Sequence, residues 1–187
     1  MIDRLLTYRH IEILKDGPRV LFRPLQAEDK ERLADLFARV SDEDREYFRS
    51  DISATDALSE WFDHLDYKHT FPLVAVVSDR LVGLATLYFG GNYTRHIAWI
   101  NVYLDKEFRR RGVGTAMISA EIDIARMIGL QQIIAEVVVT QPQVIRAFEE
   151  LGFKFEFRYR DYFMTREGET FDMAVLVHYL TNHQGEF

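Results

Sequence analysis

The residues best suited to chemistry lie in one run, Leu104-Asp105-Lys106-Glu107-Phe108-Arg109-Arg110-Arg111-Gly112-Val113-Gly114-Thr115. A β-rich segment passes there through a basic turn with two glycines into a helical pattern. Glycine lets backbone approach a ligand closely, the first amides of a helix lack intrahelical partners, and arginine adds positive charge, so the turn suits a pyrophosphate. It also reads as a solvated basic turn, because short glycine patterns recur by chance. The second candidate is Glu136 in Ile133-Ile134-Ala135-Glu136-Val137-Val138-Val139. Strand alternation sets Glu136 on the same face as Ile134 and Val138, and a charge there is a general base, a carboxylate at an exposed strand face or half of a structural ion pair. Asp105 is a further carboxylate of the same neighbourhood.

Composition narrows the rest. The chain has 187 residues, 23 Lys+Arg against 30 Asp+Glu for a net charge of −7, and no cysteine. Its length suits a single domain, 1–187, with a core of its own. The absence of Cys removes disulfides, thiolate metal sites and cysteine nucleophiles. The six histidines show no His-x-x-x-His or His-x-His spacing, so no metal site is expected. No serine sits in a nucleophile-elbow pattern, so neither a cysteine nor a serine covalent intermediate is expected. Three adjacent arginines in an acidic chain make a poor nucleic-acid surface, and the acidic balance favours cationic partners such as amines. The start, Met1-Ile2-Asp3-Arg4-Leu5-Leu6, lacks a signal-peptide pattern and no apolar run approaches a membrane span; the expectation is a cytoplasmic protein without membrane contact.

These residues need elements to hold them. Tyr8 to Leu14 and Arg19 to Arg23 flank Lys15-Asp16-Gly17-Pro18 as a hairpin. Glu28-Asp29 open a helix with Leu33, Leu36, Phe37 and Val40 on one face, and Leu58, Trp61, Phe62 and Leu65 mark a second. Phe71 to Val77, Leu81 to Phe89 and Arg95 to Leu104 form a meander. Gly112 to Ile128 is helical with Gly129 as its stop, and Ile133 to Val139 is a strand. Pro142 to Leu151 is a short helix with Pro in its first turn, and Phe153 to Tyr162 and Thr170 to Tyr179 close the fold as strands.

The chain resembles the GNAT superfamily, the acetyl-CoA-dependent N-acetyltransferases. Arg109, Gly112 and Gly114 match the family's Arg/Gln-x-x-Gly-x-Gly/Ala between its fourth strand and third helix. Phe148-Glu149-Glu150-Leu151-Gly152-Phe153 is similar to its later Tyr-x-x-x-Gly-Phe. Asp16-Gly17 through Arg23-Pro24-Leu25 and Glu28-Asp29 look like the opening of domains related to protein-lysine acetyltransferases. Glu136 to Gln141 resembles the Glu-Val-x-x-x-Asn of N-terminal acetyltransferases.

The resemblance implies an α/β (α+β) GNAT fold: a mixed central sheet splayed between the fourth and fifth core strands, about four flanking helices, and residues 1–18 as a hairpin extension. It implies transfer of an acetyl group from acetyl-CoA to a primary amine, on a protein lysine, a protein N-terminus or a small cationic molecule. Backbone groups of Val102, Tyr103 and Leu104 would pair with the pantetheine arm. Arg109, Arg110, Arg111, Gly112, Val113, Gly114 and Thr115 would form the pyrophosphate turn. Gln141 stands at the usual Asn and keeps its amide chemistry. Phe148 stands at the usual Tyr and has no proton to give, which motivates two expectations: Tyr162 as substitute acid, and, as the alternative, a noncatalytic acyl-CoA-binding domain. Glu136 is the leading base. Homodimerisation is common in the family and compatible with the aromatic-rich Phe153 to Phe163.

Overall fold

The computed structural model describes residues 5–48 and 55–180. The hairpin β1 (His10–Ile13) and β2 (Arg19–Pro24) is followed by a 3-10 turn (Ala27–Asp29) and helices α1 (Lys30–Ala38), α2 (Asp42–Arg45) and α3 (Thr55–Asp63). Next come β3 (Thr70–Val77), β4 (Arg80–Phe89) and β5 (Ile97–Leu104), then α4 (Val113–Met127), β6 (Gln132–Val138), α5 (Pro142–Glu150), β7 (Lys154–Met164) and β8 (Thr170–Tyr179). Gly17, at φ +106, closes the first hairpin as the Asp-Gly pair requires.

Among the described residues the strands form one mixed sheet in the order β1-β2-β3-β4-β5-β6-β8-β7, in which only β5 and β6 run parallel. Two apolar clusters cover its faces. One packs α4 and α5, through residues such as Met117, Ile124 and Phe148, on Phe71, Ala98 and Ile133. The other packs Leu33, Leu36 and Phe37 of α1 and Leu58 of α3 on Val74, Leu84 and Tyr103. With helices on both sides, β3 is buried from Phe71 to Val76 and reads as a continuous apolar run rather than an alternating one.

Two expectations need correction and a third refinement. Among the described residues, five helices of four or more residues flank the sheet instead of about four, because the four-residue α2 has no apolar periodicity to announce it. Strand β5 begins at Ile97 rather than Arg95, since Asn92–Thr94 coils into a 3-10 turn. Glu28-Asp29 do open the first helical stretch, but as a 3-10 turn that becomes α-helical only at Lys30, and Asp29 turns inward: it is 1% exposed and takes two hydrogen bonds from the Arg23 guanidinium, at 2.5 and 2.8 Å, plus one from the Gln26 amide.

One buried charge site has no such partner. Glu121 of α4 is fully buried and neither carboxyl oxygen meets a hydrogen-bond donor. Burial pushes its pKa well above the usual carboxylate range, so the fold holds the neutral acid. Below the unfolded pKa both states are protonated; above it only the unfolded chain ionises, and stability falls as pH rises, by about 1.4 kcal/mol per pH unit for one proton. Urea unfolding between pH 5 and 7 should show wild type losing stability relative to Glu121→Gln as pH rises, a comparison that cancels the opposite contribution of His178, whose pKa burial lowers. A difference that stays constant over that range would show that the folded protein ionises Glu121 freely.

Candidate functional site

Strands β5 and β6 pair only from Ile97 and Gln132 to Ile100 and Ala135. Beyond that point Asn101–Leu104 keep their partners on β4 and Glu136–Val138 keep theirs on β8, so the strands part and leave main-chain groups facing a gap. A cleft of about 520 Å3 occupies it. Pleating divides its walls. Val102 and Leu104 pack with the α4 cluster, on the side of Gly112, Gly114, Thr115, Ile118 and Phe148, whereas Tyr103 packs with the α1 cluster. Ala135 and Val137 belong to the α4 side, so half-buried Glu136 points to the other, where Asp44, Tyr47, Phe48 and Asn101 also line the cleft.

The basic turn is built by two left-handed residues, Arg110 at φ +59 and Gly112 at φ +87. Gly112 caps α4 without a side-chain hydrogen bond, so the amides of Val113, Gly114 and Thr115 lack both helical and side-chain partners. A Cβ on Gly114 would meet only Leu104 Cδ2, at 3.7 Å, within the protein; glycine there widens the cleft rather than relieving a clash. An uncapped helix start with positive charge and open backbone fits a diphosphate.

The three arginines have separate fates. Arg110 is exposed, lines the cleft and makes no ion pair among the described residues. Arg109 also lines the cleft, but its Nη2 donates to Asp44 Oδ2 at 2.8 Å and its Nε to the Leu104 carbonyl at 3.0 Å. Arg111 is outside the lining: it donates to Asp16 Oδ2 at 2.5 Å and its guanidinium lies 5.0 Å from the Phe108 ring centroid, tying the turn to the N-terminal hairpin. Val113 is wholly buried, so only its main chain can serve a ligand.

Val102, Tyr103, Leu104, Thr115 and Gln141 line the cleft as expected, Gln141 at the start of α5 with its side chain uncommitted to capping. Phe148 also lines it, buried edge-on against Phe153 at 4.9 Å between centroids, a packing role. Tyr162 is not among the lining residues. The β7 ladder is irregular between Tyr159 and Phe163, with Asp161 at φ +50, and Tyr162 stacks on Tyr159 at 4.9 Å, 56% exposed. The structure therefore places Tyr162 outside the cleft lining, on the exposed side of β7. Asp105 is no base. Burial alone would raise its pKa, yet hydrogen bonds from Arg39 at 2.9 Å, from the Glu107 amide and from Arg80 at 2.8 Å hold it below the usual range.

Reading the sequence missed Asp44, Tyr47, Phe48, Asn101 and Gln143. For Asp44 a signal existed: Ser41 caps α2, accepting from the Asp44 amide at 3.3 Å and donating to its carboxylate at 3.0 Å, a pattern written as Ser-x-x-Asp. Tyr47 is carried to the cleft by that helix and stacks on Phe163 of β7 at 5.7 Å. Among the described residues no group of three or more His, Asp or Glu is placed to hold a metal, and no helix is long and apolar enough to cross a membrane.

Comparison with known proteins agrees with this architecture. Residues 35–153 match the family model for the acetyltransferase (GNAT) family. An acetyltransferase of Pseudomonas aeruginosa is 29% identical over 128 residues, 65% of this chain and 68% of its own length. N-alpha-acetyltransferase 30 of Schizosaccharomyces pombe is 29% identical over 97 residues, 49% of this chain and 63% of its own length. In fold, the chain is similar to spermidine N-acetyltransferase from Vibrio cholerae in complex with CoA and spermine, with a TM-score of 0.73 and 21% identity, covering 86% of this chain and 95% of that one. Splayed sheet, glycine turn and family match together establish that the chain belongs to the acetyltransferase (GNAT) family, whose members are N-acetyltransferases that use acetyl-CoA.

Proposed function

We propose that this protein transfers an acetyl group from acetyl-CoA to a primary amine by direct attack, with Glu136 as general base. The observation that carries the reading is the cleft through the splay, with an uncapped helix start on one side and the Glu136 carboxylate on the other. When bound, acetyl-CoA supplies a thioester carbonyl. The amides of α4 and the Arg110 guanidinium hold the diphosphate, and the unpaired main chain of Asn101–Leu104 holds the pantetheine arm and donates to the developing oxyanion. Glu136 accepts the proton that the amine nitrogen loses as its bond to the carbonyl carbon forms and the C–S bond breaks. Phe148 has no proton to give, so the departing thiolate takes one from water; a thiol of ordinary pKa, about 8.5, leaves adequately without help.

The acceptor is a protein lysine, a protein N-terminus or a small cationic amine. The N-alpha-acetyltransferase relative supports the second and the spermidine enzyme's fold the third. Release of CoA thiol should be followed with spermidine, a lysine peptide with blocked termini and a peptide with a free N-terminus. The protein has no cysteine and adds no thiol signal. Turnover of one class names the acceptor. Acetyl-CoA binding without turnover of any would favour the noncatalytic reading that Phe148 motivates.

Arg110→Ala tests the diphosphate assignment. Removing one charge-assisted hydrogen bond should weaken acetyl-CoA binding about ten-fold, with little change in thermal stability because Arg110 pairs with no described residue. Unchanged affinity would remove Arg110 from the site.

A further inference from the structure

One side chain at the cleft has an unsettled hydrogen-bond account. Tyr103 is 6% exposed and lines the cleft, yet its hydroxyl is shielded from solvent and meets no hydrogen-bond partner. Its ring needs none: it packs against Phe37 at 5.9 Å and Phe48 at 5.3 Å between centroids, which phenylalanine would do equally well. An orphaned buried hydroxyl is costly and calls for a reason. Two carboxylates, those of Asp44 and Asp105, act on it electrostatically; together with burial, which contributes most, they push its pKa up to about 12, so it remains a neutral donor. Asp105 is saturated by Arg39, Arg80 and the Glu107 amide. Asp44 is held by Arg109 at 2.8 Å and the Ser41 hydroxyl at 3.0 Å, with the more exposed Lys106 ammonium farther off at 3.9 Å.

That arrangement has a consequence for any anion at the basic turn. Arg109 lines the cleft, so a diphosphate beside it competes with Asp44 for the same guanidinium. Asp44 has a side chain only 14% exposed and would lose its main charged partner in a half-dry site. Tyr103, whose hydroxyl is an unpartnered donor, lines the same cleft as Asp44 and packs on Phe48, four residues along from Asp44.

We infer that Asp44 is an internal competitor for the diphosphate site and that Tyr103 is the positioning residue that receives it. The anion takes Arg109, and Asp44 turns from Arg109 to accept a hydrogen bond from Tyr103. The exchange links the cofactor side of the cleft to the wall formed by α2 and Phe48 on the acceptor side. It rests on the acetyl-CoA-binding reading above and adds an energetic role for two side chains that touch no reacting atom.

Equilibrium binding tests it without turnover. The probes are CoA and S-acetylpantetheine, which keeps the thioester arm but lacks the diphosphate. Asp44→Asn removes the competitor and should tighten CoA about five- to ten-fold. Tyr103→Phe removes the receiving donor and should weaken CoA by a similar factor. In the double variant Tyr103→Phe should add nothing to Asp44→Asn, since no carboxylate remains to be received. Affinity for S-acetylpantetheine should be the same in all four proteins.

An unchanged CoA affinity in Tyr103→Phe overturns the inference, as does weaker CoA binding in Asp44→Asn, fully additive effects, or an equal loss for both probes, which would place Tyr103 on the pantetheine arm. Tyr103→Phe keeps the ring packing, so its result decides the matter even if Asp44→Asn does not fold. A wild-type protein that binds neither probe would defeat the cofactor reading itself, an outcome distinct from these.

Discussion

Glu136→Gln is expected to lower kcat by about 10²–10⁴, the usual contribution of a general base, while acetyl-CoA affinity stays within about two-fold. The substitution keeps the size and polarity of the side chain and removes the proton-accepting charge. The separation of effects follows from pleating: Glu136 points to the α1 side of the sheet, while the glycine turn and α4 amides lie on the other. Steady-state rates and equilibrium binding on the same preparation check both halves. A kcat within three-fold of wild type would assign the proton to water alone and leave Glu136 a structural strand residue.

The second large effect concerns folding. Arg23 and Asp29 are 7% and 1% exposed and join in a bidentate pair beneath the first helix. Asp29→Ala leaves a buried guanidinium uncompensated and should cost about 3–5 kcal/mol in urea unfolding. Replacing both residues by apolar ones of similar volume should recover most of that loss, because the pair's own desolvation cost disappears with it. Burial by itself would raise the Asp29 pKa, but hydrogen bonds from Arg23 and the Gln26 amide bring it below its ordinary value. Its stabilisation is therefore present above the unfolded pKa and lost as pH falls through the folded one. Glu121 acts in the opposite sense, weakening the fold as pH rises. Loss of less than 1 kcal/mol in Asp29→Ala would mean that water reaches Arg23 once the carboxylate is gone.

Much of the site was legible because its signals are local. The turn from Arg109 to Thr115 announces itself by two glycines within six residues, and one of them does adopt a left-handed conformation to start α4. Alternation along Ile133 to Val139 correctly set Glu136 opposite Ala135 and Val137. Tyr162 lies outside the cleft lining for a reason alternation does not carry: β7 is irregular between Tyr159 and Phe163, and among the described residues its sheet neighbour is β8 alone, which leaves the Tyr162 ring exposed. Arg109 and Arg111 look alike in sequence, yet Asp44 claims the first and Asp16 the second.

The sequence by itself determined the family, the order of the strands and the longer helices, the glycine turn that opens α4 and the strand that carries Glu136. Each depends on residues within a few positions of one another, where backbone conformation and periodicity act directly. Only the tertiary structure decided which arginine is uncommitted, that Asp44, Tyr47 and Phe48 form a wall of the cleft, that Asp29 is buried on Arg23 while Glu121 is buried on nothing, and that the Tyr103 hydroxyl lacks a partner. Those are pairings across 6 to 95 positions of chain, from Arg23–Asp29 to Asp16–Arg111. Short-range polar contacts of this kind depend on ångström distances set by how helices pack on the sheet, and a linear pattern carries no such distances.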